Sequence, residues 1–430
     1  MKLALICCIL LWMATLSARA TDDSAGKIAE DPRCARGLES IDQNSGWVTE
    51  QQIRLTEIPA PEFNEARRGQ ALKEIFAASG LKVRTDKTGN VIGERAGTDA
   101  SSVILLVAHL DTVFPVDTDV HVKRDGTRLE APGISDNGAG LAALVGLARA
   151  LSESRVGTKK TIVLAGDVGE EGEGNLRGIR ALVDGYGPRL AAVIAVDGPS
   201  TDYITTQGIA SRRFEVTISG PGGHSWSDFP SPNPITALAR GIVRFSAVRL
   251  PDSPRSSFNF GVIDGGASIN SIPASAKAKV DLRSEDEDAL ARLESALRDA
   301  MLAGVSEEVR SMQSLEKDDD NGTMTRLNQY ALHVDFRSLG ARPAGKLPGD
   351  SPLLATIRSV DSYLGNRSRL ERSSTDANIP LSLGIPAIAL GGGGKGGGSH
   401  TLEEWYDPSG RELGLKRLFL AAVTLAGLQP

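Results

Sequence analysis

The chain has 430 residues, of which 40% are hydrophobic and 24% charged, and its formal net charge is −6 at pH 7. The length suggests two domains, and the composition is that of an ordinary soluble globular protein. No long basic run occurs, so the sequence lacks the charge pattern of a nucleic-acid-binding protein, and no nucleic-acid partner is expected.

Residues 1–20 have the pattern of an export signal. Lys2 supplies the positive charge, an apolar stretch runs from Leu3 to Leu16, and Ala18-Arg19-Ala20 is a small-residue cleavage site. A membrane anchor is the alternative, but the apolar stretch is shorter than the roughly 20 residues that a spanning helix needs. We therefore expect cleavage near Ala20 and an exported, periplasmic or secreted protein without a stable membrane anchor.

Cleavage there would leave one cysteine. Cys7 and Cys8 lie within the export segment, so only Cys34 remains of the three cysteines in the chain. A single thiol cannot form an internal disulfide. We interpret Cys34 as an unreactive thiol near the N-terminus.

Strand-like and helix-like segments alternate through the first half of the chain. In order they are a helical region at 46–80 broken at 59–61, a hairpin at 81–95, the strand SVILLVA, a second hairpin around 124–126, a helix GAGLAALVGLARAL, the strand TIVLAG, a helix near 178–183 and the strand AAVIAV. Near-continuous apolar strands indicate a sheet that is covered on both faces. The prediction is an α/β domain with a mixed, mostly parallel sheet and helices on both faces.

The pattern changes near residue 208. RRFEVTISG alternates like a half-exposed strand, and the helix NPITALARGIVRFSAV and the strands SSFNFGVIDGG and ASAKAKVDLRS follow. A capping box at Ser284 to Glu287 predicts an amphipathic helix running to Gly304, and YALHVDFRSL predicts one more strand. We interpret 208–340 as an inserted α+β domain, with 21–207 and 341–430 forming the first domain.

The return to the first domain is predicted to begin with the helix LLATIRSVDSYLG. The last strand is PAIALGG, and the amphipathic helix LKRLFLAAVTLAGL closes the chain.

Chemically active side chains follow apolar runs in five separate places. Strands of an open α/β sheet deliver such side chains to one common rim at their carboxyl ends. Two imidazoles and several carboxylates at that rim form a ligand set for divalent metal, and we expect two ions. The residues are His109 with Asp111, Asp136, Glu170 with Glu171, Asp197, and His400.

Each tract also has a structural explanation when it is taken alone. His109 and Asp111 point to the same side of their strand, which suits a metal ligand and the residue that orients its ring, but a polar turn would look the same. Asp136 directly precedes a helix, where a carboxylate is a good N-cap. Glycines on both sides of Asp136 suggest close backbone approach, so a carboxylate shared between two ions is also plausible.

The Glu170-Glu171 pair is the sharpest single signal. Two adjacent acids after a buried strand are costly to bury unless metal or protons neutralise them. Neighbours in an extended segment point in different directions, so we assign Glu171 as a ligand and Glu170 as the general base that faces the attacking water. A solvated acidic loop is the alternative.

Competing motifs are incomplete. GGGGKGGGS has no Ser or Thr directly after Lys395, so it is not a phosphate-binding loop. The H-E-x-x-H and G-x-S-x-G motifs are absent from the sequence. His121 and His333 have no strand-end setting and are interpreted as ordinary surface or packing residues.

From about residue 46 to the end, the chain resembles the M20 family of co-catalytic zinc metallopeptidases. APGISDNGAG, GEEGEGNLRG and SSTDANIP are most similar to the tripeptidase-like subgroup. The resemblance implies two divalent ions, most often Zn with Co or Mn as alternatives, and Asp136 bridging them. It also implies that Asp111 steers His109 and that Glu170 activates the water. The implied metal ligands are His109, Asp136, Glu171, Asp197 and His400.

The resemblance also implies that the inserted domain is a lid that pairs two subunits in a homodimer. In GPGGHSW, His224 would reach the partner's active site and stabilise the oxyanion. Asn270 and Arg283 would contact the carbonyl and the carboxylate of the substrate, although a salt bridge from Arg283 to Asp281 or Glu285 explains that arginine equally well. The glycine run 391–398, including Gly391 and Gly392, would leave backbone amides open to the substrate's main chain.

The sequence therefore predicts an exported metal-dependent hydrolase that cleaves an amide bond in short peptides, of the aminopeptidase, dipeptidase or tripeptidase type. An N-acyl-amino-acid deacylase, a desuccinylase or a carboxypeptidase with the same site is the first alternative. A non-catalytic peptide-binding protein is the second, and a structural surface protein is weaker, because nothing in it requires clustered strand-end acids.

Overall fold

The computed structural model describes residues 24–315 and 331–430. The predicted export segment and the charged loop at 317–323 lie outside these ranges. None of the helices within them combines the length and the apolar character needed to cross a bilayer.

The helices and strands of the described residues alternate through most of the chain. The helices are α1 (Ser24–Ala29), α2 (Pro32–Thr56), α3 (Ala66–Ala78), α4 (Gly138–Ser154), α5 (Arg177–Tyr186), α6 (Pro234–Ser246), α7 (Glu287–Gln313), α8 (Pro352–Leu364), α9 (Asn378–Ser382) and α10 (Arg411–Ala426). The strands are β1 (Lys82–Thr85), β2 (Val91–Arg95), β3 (Asp99–His109), β4 (Lys123–Asp125), β5 (Arg128–Glu130), β6 (Lys160–Asp167), β7 (Leu190–Val196), β8 (Tyr203–Gly208), β9 (Ala210–Ser219), β10 (Gly223–His224), β11 (Ser256–Gly265), β12 (Ser271–Ile272), β13 (Ser275–Ser284), β14 (His333–Arg342), β15 (Gly345–Lys346), β16 (Arg369–Ser373), β17 (Ala387–Leu390), β18 (Lys395–Gly397) and β19 (Trp405–Asp407).

The larger sheet is mixed, with a parallel centre. Its order is β1-β2-β6-β3-β7-β17-β8-β15, and β16 pairs with β8 at the side. β6, β3, β7 and β17 run parallel, whereas β1, β2 and β15 pair antiparallel. Every residue of β3 from Val103 to His109 is buried, so both faces of the sheet are covered. The predicted α/β fold class is confirmed.

The parallel centre determines where the polar side chains lie. β3 ends at His109, β6 at Asp167, β7 at Val196 and β17 at Leu390. Because these neighbouring strands run in the same direction, their carboxyl ends form one edge, and the loops that follow them meet there. We refer to this sheet with its helices as the large domain.

A second sheet belongs to the inserted domain, which we define as β9 to β14 with α6 and α7. Its order is β11-β13-β9-β14, and all its pairs are antiparallel. Alternate residues of β9 and β13 are buried against α6 and α7 in a separate hydrophobic core. The sheet begins at Ala210 and ends at Arg342, so β14 continues two residues beyond the predicted boundary at 340.

Two predicted helices have different bounds. α2 begins at Pro32 rather than near residue 46, and Asp31 caps it by accepting a hydrogen bond from the Arg33 amide. α7 continues past Gly304 to Gln313. A Cβ on Gly304 would lie 2.5 Å from the Gly241 nitrogen, so this glycine permits close packing of α6 on α7 and does not end the helix.

The start of α7 also differs from the predicted capping box. Asp286 is the N-cap and accepts from the amide of Ala289 at 2.8 Å. Ser284, at the end of β13, instead accepts from the amide of Asp286.

Candidate metal centre

Three predicted ligands meet beyond the ends of β3 and β7. His109 is the last residue of β3, and its Nε2 lies 3.2 Å from Oδ1 of Asp136 and 4.0 Å from Oδ1 of Asp197. Asp136 comes from the loop before α4, and Asp197 directly follows β7. One atom of each side chain lies within 4.8 Å of the others, a spacing that one cation can bridge. We refer to these three residues as group A.

A second group contains the other oxygen of Asp136. His400 Nε2 lies 3.4 Å from Oδ2 of Asp136 and 2.9 Å from Oε1 of Glu171. Atoms of these three residues also lie within 4.8 Å of one another, and we refer to them as group B. Asp136 therefore offers one carboxylate oxygen to each group, which is the arrangement of a bridging ligand.

The electrostatics of the two groups favour cations. Burial opposes protonation of His109, yet contacts with Asp136 and Asp111 hold its pKa well above the usual value. Hydrogen bonds to Asp136 and Glu171 raise the pKa of His400 to about 10. Burial, followed by repulsion from Asp136, raises the pKa of Asp197 well above its usual value. The raised pKa values mean that both groups are stabilised by added positive charge. Imidazole and carboxylate groups are also common ligands of divalent ions, so the two groups fit two such ions.

Asp111 acts mainly on the loop that carries the two glutamates. Its Oδ1 accepts hydrogen bonds from the amides of Gly169 and Glu170 at 2.9 and 3.1 Å, and its Oδ2 accepts from Glu171 at 2.8 Å. His109 Nδ1 bonds to the backbone carbonyl of Asp111 at 3.0 Å, whereas the carboxylate oxygen is 3.8 Å away. The backbone carbonyl of Asp111, rather than its carboxylate, therefore orients the ring, because the three amides engage the carboxylate. The charge of that carboxylate still raises the pKa of His109.

Glu404, which is not among the predicted site residues, holds the other ligand-bearing loop in the same way. Its Oε1 accepts from the amides of Ser135 and Asp136 at 2.8 and 2.7 Å, and its Oε2 accepts from Gly133 at 2.9 Å. Burial raises the pKa of this carboxyl to about 7, although the same amides stabilise its charged form. The only local sign in the sequence that Glu404 belongs to the site is its position between His400 and the short strand that begins at Trp405.

The two adjacent glutamates have different partners. Glu171 faces His400, whereas Glu170 forms a buried ion pair with Arg342, whose Nη1 lies 2.6 Å from Oε1 of Glu170. Arg342 also donates to the backbone carbonyl of Glu170 and, at 3.1 Å, to Ser374 Oγ. Glu170 could also join His109 and Glu171 around a cation, but its pairing with Arg342 favours the predicted separation of ligand and base. Arg342 is not among the predicted site residues.

Another carboxyl pair lies next to the site. Asp167 ends β6, and Asp376 precedes α9; both are buried and interact with each other through their side chains. Burial raises the pKa of Asp167 to about 7 and that of Asp376 well above its usual value. Both carboxyl groups therefore favour the neutral form more than an exposed carboxyl does.

A cavity of about 610 Å³ opens beside the two groups. Group A and group B line it through Asp136, Glu171, Asp197 and His400, and Glu170 also faces it. Its further charged lining residues are Arg213, Arg283, Arg342 and Glu371.

Arg283 forms the ion pair that is its alternative explanation, and its contact with a substrate carboxylate stays a prediction. It lines the cavity, and its Nε also donates to Asp281 Oδ2 at 2.6 Å. Arg213 contacts the other oxygen of the same carboxylate at 3.3 Å. Asp281 therefore holds two guanidinium groups at the edge of the cavity.

The inserted domain does not bring His224 or Asn270 to the cavity. His224 is exposed, and its backbone amide donates to Asp228 while its Nδ1 accepts from the Trp226 amide. Asn270 is exposed and accepts from Ser268 Oγ at 2.5 Å. Neither residue lines the cavity of its own chain.

The glycine run packs against the protein more closely than predicted. The amide of Gly392 donates to the Gly198 carbonyl at 2.8 Å, so it is not open to a substrate and that prediction is corrected. Gly391 does line the cavity. A Cβ on Gly391 would lie 2.2 Å from the Ser200 carbonyl oxygen, which explains the glycine by close backbone approach.

Known proteins share this architecture. Residues 105–423 match the model described as Peptidase family M20/M25/M40. A putative succinyl-diaminopimelate desuccinylase of Mycobacterium tuberculosis is 24% identical over 346 residues, which cover 79% of this chain and 88% of that protein. A tripeptidase from Staphylococcus aureus and the aminopeptidase PepT from Bacillus cereus superpose with TM-scores of 0.70 and 0.66. Each of these structures is 20% identical to the chain, and each alignment covers 89% of this chain and 99% of that one.

Proposed function

The chain belongs to peptidase family M20/M25/M40 and is a metal-dependent hydrolase, and from this premise we propose that it cleaves an amide bond in short peptides, as an aminopeptidase, dipeptidase or tripeptidase. The proposal depends on the position of Asp136, because one of its carboxylate oxygens faces group A and the other faces group B. Such a carboxylate suits two ions that act on one substrate.

The residues divide the chemistry between them. Group A and group B would hold the ions, and we favour Zn, with Co or Mn as alternatives. Divalent ions in such a site lower the pKa of a water to about 7 and polarise the scissile carbonyl. Glu170 takes the proton of the attacking water and delivers it to the leaving amine, which is the work of a general base and then a general acid. His224 stabilises the oxyanion from the partner subunit, and Arg283 binds the substrate's carboxylate.

An assay of the purified protein tests the proposal. Dipeptides, tripeptides and N-acetyl and N-succinyl amino acids are offered after removal of metal by a chelator, and again after addition of Zn, Co or Mn. We expect hydrolysis of peptides that depends on the added metal. Hydrolysis of no substrate at any metal loading, with the peptides nevertheless bound, would favour the non-catalytic binding protein.

Deacylation or desuccinylation is the second candidate. Arg213 and Arg283 line the cavity and share one carboxylate, Asp281, so this edge of the cavity favours a further negative charge on the substrate. N-succinyl and N-acyl acidic amino acids meet that description. Faster turnover of these compounds than of any di- or tripeptide would replace the first proposal with this one.

The inserted domain supports the proposed homodimer. β11 is an edge strand of its sheet, and Val262 and Ile263 on this strand are 50% and 64% exposed. Trp226 is 87% exposed, and Ile269 is fully exposed. Exposed apolar groups beside an unpaired strand edge are typical of an association surface. Light scattering of the protein during gel filtration tests the proposal, and a monomer at all concentrations would overturn it.

We also propose that the protein is exported and is periplasmic or secreted after cleavage near Ala20. Mass spectrometry of the N-terminus of protein recovered from its native host would find a chain that starts close to Thr21. A chain that retains residues 1–20 in the cytoplasm would contradict the export proposal and leave the hydrolase proposal untouched.

A further inference from the structure

Two buried carboxylates hold the two loops that carry the candidate ligands. Asp111 accepts three backbone amides of the Gly169–Glu171 loop, and Glu404 accepts three amides of the Gly133–Asp136 loop. All six distances lie between 2.7 and 3.1 Å. Each carboxylate therefore fixes a stretch of main chain directly next to a ligand.

Glu404 also connects two loops that belong to group B. It lies four residues after His400, and its own carbonyl accepts the amide of Ala131 at 3.1 Å. Its side chain bonds to the amide of Asp136 itself. Group B thus has two of its three members, Asp136 and His400, joined through this one residue.

The burial of Glu404 is accompanied by a buried positive charge. Arg68 is buried and interacts electrostatically with both Asp111 and Glu404. It donates to the carbonyls of Leu110 at 2.8 Å, Ile58 and Thr56, which holds the chain just beyond His109. The two carboxylates and Arg68 therefore form a buried charged cluster that holds the loops next to both ligand groups.

We propose that Glu404 is a positioning residue that sets the cation affinity of group B by fixing Asp136 relative to His400. The inference rests on the proposed two-metal function. Residues that orient metal ligands typically change metal affinity about 10- to 100-fold when they are replaced. Glu404 touches neither substrate nor cation in this view, and it acts through the loop that it holds.

The neighbouring residue provides a matched control. Glu403 is exposed and lines a separate surface depression together with Thr118, Lys123 and Arg128. Glu403→Gln removes the same charge one residue away and leaves all three amide bonds intact. Glu404→Gln keeps the shape of the side chain but leaves one acceptor oxygen for three amide donors.

The experiment titrates metal-free protein with Co²⁺ and follows the visible absorption of the bound ion together with heat release. For the unaltered protein and Glu403→Gln we expect two binding steps. For Glu404→Gln we expect the step at group B, where both Asp136 and His400 depend on Glu404, to weaken about 10- to 100-fold with an altered absorption spectrum. The step at group A, which shares only Asp136, should weaken less. Turnover of Glu404→Gln should recover as the metal concentration is raised.

The outcomes distinguish failure of this inference from failure of the proposed function. If the unaltered protein does not bind two ions, the proposed function fails. If it does and Glu404→Gln binds both ions equally well, or loses both steps equally while remaining folded by circular dichroism, the inference about Glu404 fails. Should Glu404→Gln not fold, Glu404→Asp replaces it: a shorter carboxylate that weakens the same single step supports the inference, and unchanged binding overturns it.

Discussion

The large domain and the inserted domain hold their predicted site residues in opposite ways. In the large domain, Asp136 contacts both His109 and His400, and His400 also contacts Glu171. The loops that carry Asp136 and Glu171 are fixed by backbone hydrogen bonds to Glu404 and Asp111. In the inserted domain, His224 and Asn270 are exposed and bond to residues close by in sequence. The large domain therefore brings the candidate metal ligands together within one chain, whereas the role proposed for His224 requires a second subunit.

Replacement of Glu170 is the strongest test of the site residues in the large domain. Glu170→Gln cannot accept the proton of water, but its neighbour Glu171 and the other ligands remain. We expect kcat to fall about 10²- to 10⁴-fold, the usual contribution of a general base, with two ions still bound per chain. Steady-state kinetics and elemental analysis measure the two quantities.

Glu173→Gln is the control for that variant. Glu173 lies three residues further on, is exposed, and pairs with Lys279 of the inserted domain. Its replacement should leave kcat nearly unchanged. Normal turnover by Glu170→Gln would remove the general base from the mechanism.

Replacement of His224 tests whether the inserted domain contributes a residue to the partner subunit's site. If the imidazole binds the oxyanion, His224→Ala should lower kcat about 10²- to 10³-fold and leave the metal content unchanged. Mixing it with Glu170→Gln should restore activity, because one site of a mixed dimer then has both Glu170 and a His224 from the partner subunit. His121→Ala, which removes an exposed histidine of the large domain, is the control.

The mixing experiment can also contradict the proposal. If exchange of subunits is demonstrated and activity does not return, His224 acts within its own chain or has no catalytic role. If either variant alone is as active as the unaltered protein, the residue that it replaces has no catalytic role.

Arg283 should have a smaller effect, because it binds and does not react. Hydrogen bonds to a charged group contribute about 1.5–3 kcal/mol, so Arg283→Met should raise KM about 10- to 100-fold with little change in kcat. A substrate whose carboxylate is replaced by an amide should show almost no further loss in the variant. An equal loss for both substrates would mean that Arg283 serves only its ion pair with Asp281.

The sequence predicted the ligand positions because their signal is local. An apolar run followed by an acid or a histidine identifies both the strand and the residue at its carboxyl end, as at His109 and Asp197. Glu404 and Arg342 carry no such signal, since they contact residues 268 and 172 positions away in the chain. The glycines around Asp136 indicate close backbone approach, but nothing in the sequence shows that at Gly391 the Ser200 carbonyl, rather than a substrate, lies against the backbone.

The smallest expected effect concerns Cys34, which lies in α2 of the large domain and is fully buried. Burial raises the pKa of its thiol to about 11, so at pH 8 only about a thousandth is the reactive thiolate. In protein that lacks residues 1–20, we expect a thiol reagent to modify Cys34 only after denaturation, with no loss of activity before it. The control, Leu302→Cys, introduces a thiol on α7 of the inserted domain, where Leu302 is 53% exposed and labelling should be rapid. Equal rates at both positions would show that the large domain opens as readily as the surface of the inserted domain, and the contrast between the two regions would then be lost.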